Sequence, residues 1–377
     1  MNNLKKIVIS CGGTGGHFYP GLSIARRFTE LGGSPLLMLS GVNVENQTRI
    51  ARGFEIPVLP LPPMPSPNRP GKMARFVKGA ATGYARAVRA MKAFDPQAFI
   101  GMGSFTSLPT VSAAKRLKIP VFLHDGNARA GRANRIFSRW AVELFSAFPL
   151  VNQNQVKCPA AVSGMPLRPE VAGIRMTREE AAQNLKQIYN WQVNDNFTIL
   201  VMGGSQGART INNAVAGAAQ ICRGKLNIIH LCGEKLYPET REKYDSMAMG
   251  EGDGVFLLPF SPHMGELYSI CDMVIGRSGG SSVAELLNFG RYGLLIPYPF
   301  AAELHQNDNA GFARSCGAAE VIDNANVSDV LFRKLFDQIA ASPEKYRRMG
   351  RSAQTDLHRN AADFILQNIE SYISNNR

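Results

Sequence analysis

Three glycine-rich runs in this chain have the residue types and spacing to hold an anion. In Cys11-Gly12-Gly13-Thr14-Gly15-Gly16-His17, consecutive glycines let the backbone approach a ligand closely. A helix opening there aims its unpaired N–H groups and the positive end of its dipole at the same spot. The second run, Gly203-Gly204-Ser205-Gln206-Gly207-Ala208-Arg209, repeats the pattern and adds a hydroxyl and a guanidinium suited to phosphate oxygens. The third, Gly276-Arg277-Ser278-Gly279-Gly280-Ser281-Ser282, again precedes a helical stretch, and Ser282-x-x-Glu285 has the spacing of a capping box. Capping accounts for Glu285 about as well as contact with a sugar hydroxyl does. Two places offer acid–base chemistry: His17, at the lip of the first run, and His124-Asp125, at the end of the apolar Pro120-Val121-Phe122-Leu123. A histidine after a glycine turn is also an ordinary hydrogen-bonding helix residue, so residue chemistry leaves its role open.

Several functions are disfavoured by what these runs lack. A dinucleotide fingerprint would need glycine where Phe18 stands and an acidic residue after Leu39-Ser40. No Gly-Lys-Ser/Thr follows any glycine run, which removes a Walker loop. No Asp-x-Asp pair occurs, so no metal-binding motif or cofactor is expected; leaving-group charge falls to helix termini and to Ser, Thr and Arg donors. The six cysteines, at 11, 158, 222, 232, 271 and 316, form no Cys-x-x-Cys pair, and reduced, mostly buried thiols are expected.

The elements that position these residues follow from pattern. A length of 377 residues exceeds the size of one core, about 250–300 residues, and implies two domains. The composition, 45% hydrophobic and 19% charged, is that of a globular chain. No apolar run reaches the roughly 18 residues a membrane span needs. The start, Met1-Asn2-Asn3-Leu4-Lys5-Lys6, enters a strand-like segment directly, from which a cytoplasmic product without a signal peptide is expected. Strand-like segments at 5–10, 35–39, 97–101 and 119–123 alternate with helical patterns, the first helix expected at 20–31. The alternation restarts near Phe197, with strands near 226–231, 255–258, 273–275 and 293–297. Two doubly wound, parallel α/β domains in tandem are expected, 1–172 and 173–353, with a polar C-terminal helix at about 354–374 packing back on the first. The prolines between Pro57 and Pro70 predict an irregular crossover loop, favoured over a docking polyproline motif.

Charge divides the chain. Its formal net charge of +13 comprises 23 Lys and Arg against 7 Asp and Glu through Arg175, then 19 against 22. A basic first half suits anionic lipid or a polyanionic substrate. Nucleic acid is disfavoured, because no RNA-recognition or zinc-finger motif accompanies it. Arg129, Arg132, Arg135 and Arg139 recur at helical spacing, and Lys72, Arg75, Lys78, Arg86, Arg89 and Lys92 lie on the preceding helical pattern. A single-sign stripe favours a membrane-facing patch over a solvated face.

Taken together, the sequence resembles the bacterial peptidoglycan N-acetylglucosaminyltransferases of glycosyltransferase family 28, which convert lipid I to lipid II. The resemblance covers nearly the whole chain. It rests on Gly12–His17 with Pro20, Gly101-Met102-Gly103-Ser104-Phe105, His124-Asp125-Gly126-Asn127 with Gly131 and Asn134-Arg135, and Gly164-Met165-Pro166-Leu167-Arg168. Gly203–Arg209, Arg277–Glu285, and Pro297-Tyr298-Pro299 through His305-Gln306 and Asn309-Ala310 complete it. It implies the glycosyltransferase B fold, two Rossmann-like domains with a cleft between them. It also implies transfer, with inversion, of N-acetylglucosamine from UDP-N-acetylglucosamine to the 4-hydroxyl of undecaprenyl-diphosphate-linked N-acetylmuramyl-pentapeptide. The setting implied is peptidoglycan synthesis, and through it cell-wall biogenesis, cell shape and division. The place is the cytoplasmic face of the inner membrane, peripherally, with anionic inner-leaflet lipids and cell-wall synthesis proteins as further partners.

Carried over by motif, Ser205, Gln206 and Gly207 hold the diphosphate, with Gly280, Ser281 and Ser282 among the donor contacts. Arg168 and the backbone near Phe260 lie by the uracil, Glu285 by the ribose, and Asn127 and Gln306 by the N-acetylglucosamine. Thr14, Gly15 and Gly16 border the reaction centre. His17 is the candidate base and Asp125 the alternative. Two motifs depart from the family pattern: His-Asp-Gly-Asn stands where His-Glu-Gln-Asn is usual, and Glu303 replaces an Asp. Rival readings are another enzyme on this fold, such as a glycolipid or polysaccharide glycosyltransferase or a nucleotide-sugar 2-epimerase, and a non-catalytic UDP-sugar-binding relative.

Overall fold

The computed structural model describes residues 3–12, 15–41, 43–64, 70–173, 176–204 and 208–376. Thr14, Ser205, Gln206 and Gly207 lie outside them. The chain forms two compact units, Met1–Arg168 with Leu357–Arg377, and Pro169–Asp356. Unit 1 holds 24 Lys and Arg against 8 Asp and Glu, and unit 2 holds 18 against 21.

Unit 1 contains strands β1 (Lys6–Gly12), β2 (Ser34–Ser40), β3 (Val58–Pro60), β4 (Ala98–Gly101), β5 (Val121–Asp125), β6 (Glu143–Ser146) and β7 (Ala160–Val162). All pair in parallel, in the order β3-β2-β1-β4-β5-β6-β7. Its helices are α1 (Gly15–Glu30), α2 (Val44–Gly53), α3 (Pro70–Phe94), α4 (Leu108–Arg116) and α5 (Arg132–Phe137). Unit 2 contains β8 (Phe197–Met202), β9 (Leu226–Leu231), β10 (Val255–Leu258), β11 (Met273–Gly276), β12 (Tyr292–Leu295) and β13 (Ala319–Val321). These are again all parallel, ordered β10-β9-β8-β11-β12-β13. Helices α6 (Pro169–Ala172), α7 (Arg178–Tyr189), α8 (Arg209–Ala218), α9 (Tyr237–Ser246) and α10 (Met264–Ile270) belong to it. So do α11 (Gly280–Phe289), α12 (His305–Ser315), α13 (Asp329–Ala341) and α14 (Pro343–Ser352). The chain then returns to unit 1 as α15 (Ala361–Asn375).

In both sheets the winding direction reverses beside the first strand, between β1 and β4 and between β8 and β11. Ligands of open parallel sheets bind outside the carboxyl ends of the strands at such a reversal. Burial explains why these strands are nearly unbroken apolar runs: every residue of β5, β8, β9, β11 and β12 is buried. Alternate side chains feed opposite faces. Ile7 and Ile9 join Phe18, Leu22 and Phe28 of α1, while Val8 joins Ala87 and Met91 of α3 and Val111 of α4.

Several expectations need correction. The first helix starts at Gly15, not residue 20, and carries Pro20 inside it. Proline lacks the N–H that would bond to the Gly16 carbonyl, a loss tolerated this close to the helix start. The C-terminal helix begins at Ala361 and is not polar: Ile365, Leu366, Ile369 and Ile373 complete the core under β1 and β2. Within the proline-rich stretch, Val58–Pro60 is a strand, possible because β3 is the sheet edge, where a missing donor breaks no ladder. Helix α5 spans only Arg132–Phe137, so Arg129 and Arg139 share no helix face with Arg132 and Arg135. Among the described residues no helix is long and apolar enough to cross a membrane. The six cysteines are free, four of them buried; burial pushes the Cys222 and Cys271 thiols up to about 12.

Opposite the binding edge, Asp272 joins the starts of β8 and β11. Its carboxylate accepts from Thr198 N–H at 2.8 Å, Arg347 Nε at 2.9 Å and Arg178 Nη1 at 3.2 Å, and it is 7% exposed. Replacing it by Ala removes the one carboxylate shared by two half-buried guanidinium groups and the acceptor of the Thr198 N–H, leaving Arg178 to the Asn196 carbonyl and Thr198 Oγ1 and Arg347 to Glu344. Urea unfolding of Asp272→Ala is expected to show a loss of roughly 1–3 kcal/mol; a loss under about 0.5 kcal/mol, within the range of a surface pair, would refute that role for the cluster.

Candidate active site

In unit 1 the expected residues gather at the carboxyl ends of β1, β4 and β5. Gly15, Gly16 and His17 are the first three residues of α1, and His17 is half-buried. Gly103, after β4, has φ +91°, which favours glycine. A Cβ at this glycine would meet His17 Cδ2 at 3.1 Å, His17 Nε2 at 3.2 Å and Asn134 Nδ2 at 3.5 Å. The imidazole therefore rests on bare backbone, and a side chain at 103 would displace it.

Asp125 ends β5 with both carboxylate oxygens engaged. Oδ2 accepts from Gly131 N–H at 2.7 Å and Asn134 Nδ2 at 3.0 Å; Oδ1 accepts from Asn127 N–H at 3.2 Å and Asn127 Nδ2 at 3.4 Å. The carboxylate thus organises the turn 126–131 and orients Asn127. Asn134 also donates to the His124 carbonyl at 3.0 Å. His124 is itself buried, its Nε2 3.2 Å from the Gly164 carbonyl oxygen, and desolvation holds it down at about 4. It is a neutral structural imidazole at neutral pH. Arg168, the last residue before unit 2, places its guanidinium 5.1 Å from the Tyr19 ring centre of α1. Phe260, its expected neighbour at the uracil, belongs to unit 2.

In unit 2, Gly280, Ser281 and Ser282 open α11 on Gly279 as its N-cap. The capping box expected at Ser282 and Glu285 is therefore absent: Ser282 is already the third helical residue, and Glu285 lies in the second turn, partly accessible. The turn is fastened to the start of α12. Ser278 Oγ donates to the Gln306 carbonyl at 2.8 Å, Asn309 Nδ2 donates to the Ser278 carbonyl at 3.0 Å, and Tyr298 N–H donates to Gln306 Oε1 at 2.9 Å. Arg277 donates to the carbonyls of Ile296 and Pro297 at 3.1 and 3.2 Å, and desolvation lowers its affinity for the proton. Gln306 and Gly280–Ser282 are thus brought together. Phe260 follows β10 at the sheet edge and is 59% exposed. Arg209 opens α8 at the end of the second glycine run and pairs with Glu239 of α9 at 3.1 Å. Such an exposed pair is worth at most about 1 kcal/mol, so a phosphate can replace it.

Ser278 and Asn309 had no role assigned from sequence. They lie 31 residues apart, and only the sheet order makes them neighbours.

Comparison with known proteins bears on family and fold. Residues 7–146 match the glycosyltransferase family 28 N-terminal domain and residues 198–365 the glycosyltransferase family 28 C-terminal domain. The UDP-N-acetylglucosamine--N-acetylmuramyl-(pentapeptide) pyrophosphoryl-undecaprenol N-acetylglucosamine transferase of Desulforamulus reducens is 30% identical over 382 residues, covering 98% of this chain and 99% of the relative. The crystal structure of Acinetobacter baumannii MurG is similar at a TM-score of 0.73, with 24% identity over 97% of this chain and 99% of that one. The UDP-GlcNAc 2-epimerase from Neisseria meningitidis reaches 0.67 with 14% identity, over 96% and 98%. At these identities the two structures speak to fold, which is the glycosyltransferase B fold. Matched in both halves by the two domains of one family, and along nearly its full length by a relative from it, the chain belongs to glycosyltransferase family 28.

Proposed function

We infer that this chain transfers N-acetylglucosamine from UDP-N-acetylglucosamine to the 4-hydroxyl of lipid I, forming lipid II. The observation that carries this is the 30% identity, over 98% of the chain, to a transferase named for that donor and acceptor. In this reading the acceptor hydroxyl attacks the anomeric carbon from the face opposite UDP, the bond to the diphosphate oxygen breaks, and configuration inverts. His17 takes the hydroxyl proton. Asn127 and Gln306 meet the N-acetylglucosamine, Glu285 the ribose, and Arg168 and the backbone near Phe260 the uracil. The departing diphosphate meets the start of α8 and residues Ser205, Gln206 and Gly207, with no metal or other cofactor required. The basic unit 1 takes the lipid-linked acceptor at the membrane. Support for peripheral attachment comes from α3, where Arg75, Lys78, Arg86, Arg89 and Lys92 are all exposed alongside Met73 and Val77.

The test is an incubation with UDP-N-acetylglucosamine and a lipid I analogue in vesicles, with and without EDTA. UDP release and a lengthened lipid-linked saccharide are expected in both arms, with the protein sedimenting on vesicles containing phosphatidylglycerol but not on neutral ones. Absence of product overturns the transfer; loss of activity in EDTA overturns metal independence; equal sedimentation on neutral vesicles overturns the electrostatic attachment. Consumption of the donor without acceptor would indicate an epimerase instead.

A further inference from the structure

Gly126 borders a volume that another side chain already fills. A Cβ built on it would lie 2.9 Å from Met165 Cε, 3.6 Å from Met165 Sδ and 3.8 Å from the Gly16 carbonyl oxygen. The methyl of Met165 therefore stands where a side chain at 126 would go. Met165 is 1% exposed, and its N–H donates at 3.0 Å to Nδ1 of His358, which is fully buried. Its backbone is tied down while its thioether, flexible and polarizable, fills the gap beside the turn. The turn 126–131 is thus held on one side by the Asp125 carboxylate and packed on the other by Met165, with the Gly16–His17 helix start adjacent.

We propose that Met165 is a positioning residue of the transfer, holding the Gly126–Asn127 turn against the Gly16–His17 helix start, and that positions 126 and 165 are a volume-complementary pair. This rests on the function inferred above and deepens it. Close-packed side chains transmit a missing volume to their neighbours, and displacement of about 1 Å can cost on the order of 100-fold in rate. Met165→Ala opens the volume and frees the turn. Gly126→Gln, the residue usual in the family, pushes the Met165 methyl aside, a smaller disturbance because that methyl is the end of a flexible side chain. Together the Gln stem occupies the space the thioether vacates, and function returns.

The experiment compares steady-state kinetics and amide exchange of segment 126–131 in the parent, Met165→Ala, Gly126→Gln and the double variant. Met165→Leu serves as a folded, volume-conserving form. Met165→Ala is expected to lower kcat roughly 10-fold or more and Gly126→Gln by less, with donor KM within about 3-fold in both. The double variant and Met165→Leu should return to within about 3-fold of the parent. Exchange of the Asn127 and Gly131 amides should quicken in Met165→Ala and slow again in the double variant. The proposal is overturned if Met165→Ala keeps kcat within 3-fold, if the double variant loses the product of the two single losses, or if exchange in Met165→Ala is unchanged. Should the parent make no product, the functional reading fails and the exchange data alone decide the pair.

Discussion

His17→Ala is expected to lower kcat by about 10²- to 10⁴-fold, the contribution of a positioned general base, while donor affinity and thermal stability stay close to the parent. Several observations set that expectation. His17 lies in the first turn of α1, is half-buried, and has its ring against the bare Cα of Gly103. The core side of α1 is built by its neighbours Phe18, Leu22, Ala25 and Phe28. The rival base, Asp125, behaves differently on substitution. Its oxygens accept from Gly131, Asn134 and Asn127, so Asp125→Asn turns an acceptor into a donor facing donors. That variant should lose melting temperature along with activity, since a buried donor left unsatisfied costs roughly 1–3 kcal/mol. Initial rates with the lipid I analogue, calorimetric donor binding and thermal melts separate the two. If His17→Ala retains a fifth of the parent kcat, the imidazole is not the base. If Asp125→Asn loses activity with an unchanged melt, the carboxylate takes that role instead.

Much of this site was legible in the sequence because the fold expresses it locally. A glycine run directly after an apolar strand and before a helical pattern places itself at a carboxyl edge, and Gly12, Gly203 and Gly276 all stand there. What escaped was set by tertiary contact. Val58–Pro60, three residues in a proline-rich stretch, becomes a strand through pairing with β2. Pro20 resembles a helix start, yet the helix extends five residues before it, with Gly15 and Gly16 opening it. The basic stripe from Arg129 to Arg139 has helical spacing, but the chain leaves the helix after Phe137. Ser282 and Glu285 have the spacing of a cap two residues inside a helix that already starts at Gly280. Asp125 had chemistry legible as acid or base; that it organises a turn depends on Gly131 and Asn134, six and nine residues on. Gly126, read as a deleted amide, is explained by Met165, which no local pattern connects to it.

Acid is expected to unfold the two units unequally, with unit 1 losing stability more steeply between pH 6.5 and 4. Three fully buried imidazoles drive this. Desolvation holds His124 and His358 of unit 1 down at about 4 and His230 of unit 2 down at about 3. Above pH 6.5 each is neutral in both folded and unfolded chains and contributes nothing to pH dependence. Below it the unfolded chain takes up protons that the folded chain refuses, so the unfolded state binds more protons and stability falls as pH falls. Each pH unit costs about 1.4 kcal/mol per imidazole. Unit 1 therefore loses roughly 6 kcal/mol by pH 4 from its pair, a large share of a domain's ordinary 5–15 kcal/mol. Half-buried Glu143, whose carboxyl desolvation raises, acts in the opposite sense and tempers the slope. Unit 2 loses about half as much by pH 4 and goes on losing to pH 3, because desolvation by burial holds His230 at about 3. The two tryptophans report the units separately: Trp140 lies in unit 1, and Trp191, 3% exposed, in unit 2. Urea midpoints of Trp140→Phe and Trp191→Phe at pH 7, 5.5 and 4.5 should therefore diverge, the Trp140 signal moving further. Midpoints that stay level from pH 7 to 4.5 would mean that water reaches these imidazoles and the cores around them open in the native state.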